Sequence, residues 1–185
     1  MATICRNRLI LSLQGYALRL MAALPRGGSL DGSQYRRLLK EIAVRITPHL
    51  CFDGQCEAAF RTYHQILGGT IVTMLKYGES PMATQVEPRW HDRIVHATLQ
   101  LGELELTGVD LFPHDYHRPQ GFFVTLTISG PVEAKQIFLS LSEGGEVRLP
   151  FQTTFGSAGF GVLIDRFGVP WEINCAQAPS SSSGA

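Results

Sequence analysis

The sequence has no excess of charge of either sign. Its 16 lysines and arginines are matched by 16 aspartates and glutamates, for a formal net charge of +0 at pH 7. Without a basic field the chain has little to attract nucleic acid, so no nucleic-acid partner is expected. Long apolar runs are also missing. The stretch LILSLQGYALRLMAAL (9–24) is broken by Gln14 and Arg19, whereas a membrane-spanning helix needs about 20 predominantly apolar residues. No membrane partner is expected, and the same stretch fits a secretory signal poorly. Cysteine is sparse. Cys5, Cys51, Cys56 and Cys175 form no CxxC pair, which argues against a zinc-knuckle framework and predicts reduced, semi-buried thiols in a cytoplasmic protein. A serine-nucleophile elbow is absent too, because Ser157 stands in GSAG rather than G-x-S-x-G.

Residues 1–45 differ in composition from the rest. They carry Arg6, Arg8, Arg19, Arg26, Arg36 and Arg37 against Asp31 and Glu41. An arginine-rich, acid-poor leader is a transit peptide, with a mitochondrial location as the alternative to the cytoplasmic one, a flexible extension, or a read-through upstream of the true start that is absent from the mature protein. Residues 176–185, with the tail APSSSSGA (178–185), have the composition of a disordered end.

Between these ends the chain repeats itself. Ala59, Phe60, Tyr63, Ile66 and Leu67 recur at helical spacing over Gln55–Gly68. Val132, Ala134, Ile137, Phe138 and Leu141 do so over Pro131–Gly144. Each helix ends in Gly-Gly, at Gly68-Gly69 and Gly144-Gly145, where glycine supplies a left-handed cap. Strands are predicted before the helices at 46–52 and 122–128. Three more follow each helix, at 70–77, 95–101 and 103–109, and at 146–152, 159–165 and 169–175. The order βαβββ therefore occurs twice, in modules over 46–110 and 121–175 joined by LFPHDYHRPQG (111–121). The caps are 76 residues apart, and His49 and Phe123 are 74 apart. The fold class is α+β: paired βαβββ modules forming a curled, cup-like mixed sheet with helices on the outside.

Strand side chains alternate between faces. Leu50 and Phe52 go to the helix side, leaving His49 and Cys51 on the lining side. Likewise Leu104 and Leu106 oppose Glu103, Glu105 and Thr107. Phe122, Val124, Leu126 and Ile128 oppose Phe123, Thr125 and Thr127, and Trp171, Ile173 and Cys175 oppose Glu172 and Asn174. The linker residues His114, Asp115, Tyr116 and His117 read as a solvated loop at the cup mouth. His91 and His96 read as structural or surface residues, and Asp165-Arg166 as a surface ion pair at a turn, of little energetic weight.

The stretches ITPHLCFDGQCEAAFRTYHQILGG (46–69), Gln120-Gly121-Phe122 and DRFGVPWEINC (165–175) resemble the PhnB-like branch of the vicinal oxygen chelate superfamily, which includes glyoxalases, dioxygenases and bleomycin resistance proteins. The resemblance spans 46–175. It implies a homodimer and two kinds of function. One is binding of a small molecule in the sheet cup, with Glu103, Thr107, Phe123, Thr125, Tyr116 and Asn174 as ligand contacts and no metal. The alternative is a metal-dependent lyase, isomerase or dioxygenase. Metal-using relatives take ligands from the first and last strand of each module, which transfers here to His49, Glu105, Phe123 and Glu172. Phe123 cannot ligate. The other three suit a hard or borderline divalent ion, which would polarise a carbonyl or acidify a bound water. The branch also places bulk where this chain has Gly156 and Gly159, so a wider pocket is expected. Its members have carried the label demethylubiquinone 3-methyltransferase. GSAGFG (156–161) does not open a helix, so the sequence shows no loop of the kind a methyl-donor site would use.

Overall fold

The computed structural model of the protein describes residues 45–176. Expectations for residues 1–44 and 177–185, Cys5 included, lie outside the described residues. The order is β1 (His49–Phe52), α1 (Cys56–Leu67), β2 (Thr70–Lys76), β3 (Ile94–Leu101), β4 (Leu104–Asp110), β5 (Val124–Ile128), α2 (Pro131–Ser142), β6 (Glu146–Thr154), β7 (Ser157–Ile164) and β8 (Pro170–Cys175). Three short 3-10 turns, Tyr77–Glu79, Ala83–Gln85 and Pro88–Trp90, fill the β2–β3 connection. None of the described helices is long and apolar enough to cross a membrane.

The two modules repeat one topology. Sheet 1 runs β1-β4-β3-β2 and sheet 2 runs β5-β8-β7-β6. In each, the first strand lies parallel to the last, and the other pairs are antiparallel. No described strand of one sheet is hydrogen bonded to a strand of the other. The expected curled sheet is thus two open four-stranded sheets, each with a helix on its apolar face.

Local chemistry explains the helix ends. Pro131 opens α2, where a missing amide donor costs nothing. The first amide of α1, on Cys56, donates to Asp110 Oδ1 at 2.9 Å, so a β4 carboxylate satisfies a helix-end donor. Gly68 leaves α1 at φ 74° and Gly144 follows α2 at φ 70°, the left-handed geometry that glycine adopts without a Cβ clash.

One buried cluster holds both modules together. It contains Phe60 and Tyr63 of α1, Phe138 and Leu141 of α2, Leu99 and Leu106 of sheet 1, and Leu163, Trp171 and Ile173 of sheet 2. Burying each large side chain is worth about 1.5–3 kcal/mol. Asp165 sits inside this cluster rather than on the surface. It accepts from Tyr63 Oη at 2.6 Å, Trp171 Nε1 at 2.9 Å, and the amides of Phe167 and Val169, both at 2.9 Å. The surface ion pair expected at Asp165-Arg166 is therefore a correction: Asp165 is 4% exposed, while Arg166 donates to Thr62. A buried carboxylate must be saturated with donors to be tolerated, and this one is supplied from both modules.

Candidate functional site

The helices cover one face of each sheet, and the opposite faces are open. On sheet 1 the register sets His49 beside Thr107, Thr107 beside Thr98, and Thr98 beside Thr73. The neighbouring row brings in His96, opposite Leu75. Glu105 lies opposite Gln100, one step along β4 on the same face. The His49 and His96 rings stack with centroids 6.3 Å apart and planes 18° apart. His96 Nε2 is 3.1 Å from the Thr98 hydroxyl.

The hydrogen bonds favour one tautomer of His49. Its Nδ1 lies 2.8 Å from Thr107 Oγ1. That hydroxyl has one proton, which it donates to the Pro48 carbonyl at 3.1 Å. With that proton on the Pro48 carbonyl, His49 Nδ1 is the donor and Nε2 is left as an acceptor. Although His49 is exposed as a whole, its ring faces His96 on one side. Partial burial first, and the His96 charge second, hold its pKa below the ordinary histidine value.

On sheet 2, Thr125 pairs with Glu172 and Thr127 with Asn174, while Val162 and Phe160 lie on the far side of β8. The Thr125 hydroxyl donates to Glu172 Oε2 at 3.0 Å. A shallow cavity of about 500 Å³ covers this face, lined by Thr125, Leu149, Phe155, Phe160, Glu172 and Asn174 among others. That volume is in the range of small-molecule sites.

Several expected contacts move. Glu103 lies in the β3–β4 turn, exposed, not on the lining face. Phe123 precedes β5 and is 49% exposed; the residue equivalent to His49 is Thr125, 76 positions on, matching the spacing of the helix caps. In the same way Thr107, not Glu105, is the counterpart of Glu172. Tyr116 sits on the linker, close to Gly168 of the β7–β8 turn. Thr107, Thr125, Asn174, His49 and Glu172 do lie on the open faces, on two different sheets. Gly159 points into the core, where a Cβ would strike the Phe151 ring, so bulk there would not narrow the pocket. Gly156 does line the cavity, with open space around it. His96 and Thr98 were legible from the alternation of VHATLQL, which sets His96, Thr98 and Gln100 on one face.

The donor set does not fit a metal within one chain. Among the described residues, no three histidine, cysteine, aspartate or glutamate side chains converge on a common point. His49, Glu105 and Glu172 are split between the two sheets.

Residues 44–174 match the family model described as 3-demethylubiquinone-9 3-methyltransferase. Protein YjdN of Escherichia coli K12 is 30% identical over 137 residues, covering 70% of this chain and 93% of YjdN. The crystal structure of PA1353 from Pseudomonas aeruginosa is 41% identical with a TM-score of 0.68, over 74% of this chain and 100% of that one. A Bacillus cereus PhnB protein, described as a putative 3-demethylubiquinone-9 3-methyltransferase, is 26% identical with a TM-score of 0.62, over 72% of this chain and 100% of its own. With the paired modules and their shared register, these matches establish that the chain belongs to the PhnB-like family that this family model describes.

Proposed function

We propose that this protein binds a small molecule in a cup made by two copies of the chain, with the open face of sheet 1 from one copy set over the open face of sheet 2 from the other. The observation that carries this is the placement of the polar rows. His49, Thr107 and Thr98 lie on one sheet and Thr125, Glu172 and Asn174 on another, both turned away from the shared core. Each is half a wall. Exposed apolar side chains near sheet 2 support closure by a second copy: Phe155 is 104% exposed, Phe122 46% and Phe123 49%. Apolar surface of that kind marks an interaction site.

Binding is the function carried forward, not methyl transfer. The strand-to-helix junctions are Asp53–Gln55 and Ser129–Gly130, each with a single glycine. GSAGFG lies in the β6–β7 hairpin and along β7. Neither arrangement offers the backbone cradle of a nucleotide-like methyl donor.

A fragment library screened by NMR tests the reading. Hits are expected to shift the amides of Thr125, Phe160, Glu172 and Asn174 together with those of His49, Thr98 and Thr107. Hits that move one face alone would overturn the two-copy cup, and an absence of hits on either face would overturn binding.

A further inference from the structure

The cavity on sheet 2 carries a single formal charge. Its lining contains Glu172 and no lysine, arginine or histidine. Glu172 Oε2 accepts from Thr125, and Oε1 has no protein donor among the described residues. Two positions along β8 on the same face, Asn174 presents its side-chain amide with no hydrogen-bond partner among the described residues. Around these groups stand Leu149, Phe155 and Phe160. A ligand seated here takes water from the carboxylate. A neutral or anionic ligand leaves that charge uncompensated, which is costly in a dry site. A cation removes the penalty, and the phenyl faces add attraction of their own.

The facing row of sheet 1 agrees. Its polar positions His49, His96, Thr98, Gln100, Glu105 and Thr107 include no lysine or arginine, and the His49 and His96 rings stack on each other. The contrast lies elsewhere on the molecule. A separate cavity of about 300 Å³, formed by His117, Arg118, Gln120 and Arg148, brings two arginines and a histidine together. With a formal net charge of +0, the chain has no overall field to favour either sign, so selectivity must arise within the cup.

We propose that the cup selects a protonated amine carried on an apolar body, with the ammonium between Glu172 Oε1 and Asn174 and the apolar part against Leu149, Phe155 and Phe160. This deepens the binding function above and rests on it.

Three probes of one shape test it: hexylammonium, hexan-1-ol and hexanoate, titrated into the full chain and followed by amide shifts at Thr125, Phe160, Glu172 and Asn174. Hexylammonium is expected to bind at least about tenfold tighter than hexanoate, equivalent to about 1.4 kcal/mol, with hexan-1-ol between them. In Glu172→Gln, whose fold is checked by the unchanged remainder of the amide spectrum, the preference should vanish. Should that variant fail to fold, the salt dependence of the native protein substitutes: hexylammonium affinity should fall with ionic strength and hexan-1-ol affinity should not. Equal binding of the three, or an amine affinity indifferent to Glu172→Gln, would overturn the charge selection and leave binding intact. If none of the three binds, both readings fall.

Discussion

Tyr63 and Asp165, 102 residues apart in sequence, meet at 2.6 Å in the buried seam between the two modules. The Tyr63 hydroxyl is the donor, and burial first, then the Asp165 charge, raises its pKa well above the ordinary tyrosine range. Tyr63→Phe removes a hydrogen bond to a charged group, so unfolding in urea should show a loss of about 1.5–3 kcal/mol. Asp165→Ala should cost more, because it strands the Tyr63 hydroxyl, the Trp171 indole N–H and two amides at once. A loss below about 0.5 kcal/mol for Asp165→Ala would show that the seam is held by packing alone.

His49 should titrate below an ordinary histidine in a histidine-resolved NMR experiment, with its neutral form protonated on Nδ1. Burial is the larger cause and His96 the smaller, so His96→Gln should raise the pKa only part of the way back. The sign for stability follows. A histidine whose folded pKa is lowered contributes stability that is complete above its unfolded pKa and lost as pH falls through the folded one. Acidification through that window should lower the urea midpoint, and His49→Gln should remove this part of the dependence. Thr107→Val, which deletes the acceptor for Nδ1–H, should release the tautomer; an unchanged nitrogen spectrum would refute the assignment.

Gly108 and Gly156 should respond very differently to the same added methyl group. A Cβ on Gly108 would enter the Phe60 ring and lie 3.2 Å from Cys56 Sγ. Overpacking of this kind costs about 1–3 kcal/mol. A Cβ on Gly156 meets nothing within 4 Å, so Gly156→Ala should change stability by about 0.5 kcal/mol or less. Thermal unfolding of the two variants side by side decides it.

On the two-copy cup proposed above, the native protein should sediment as a dimer and Phe155→Glu as a monomer, with the melting temperature of the protomer nearly unchanged. The side chain is 104% exposed, so its loss removes no contact within the chain. A native protein that sediments as a monomer at all concentrations would remove the basis for the two-copy cup.

The elements were legible because each one has a strong local signature: alternation for the strands, 3.6-residue spacing and Gly-Gly caps for the helices. Alternation also assigned faces correctly at Thr125, Glu172 and Asn174. It could not fix which residues on a face stand side by side. A slip of two positions keeps every side chain on its face, so Phe123 and Thr125 are indistinguishable by period, as are Glu105 and Thr107. The strand register resolves both pairs in favour of the second residue. Asp165 escaped for another reason. A charged residue in a turn is ordinarily solvated, and nothing near it in sequence shows that Tyr63 arrives from the other module.

The split between the two faces of each sheet has a consequence for how such a protein can change. Residues that hold the fold together, such as Gly108, Leu163 and Trp171, alternate along the strands with residues of the open faces, such as Thr107, Phe160 and Glu172. The two sets share a backbone and point to opposite faces of the sheet. Ligand preference can therefore drift by substitution at every second position while the scaffold stays fixed, and a redesigned specificity is best sought on those alternate positions alone.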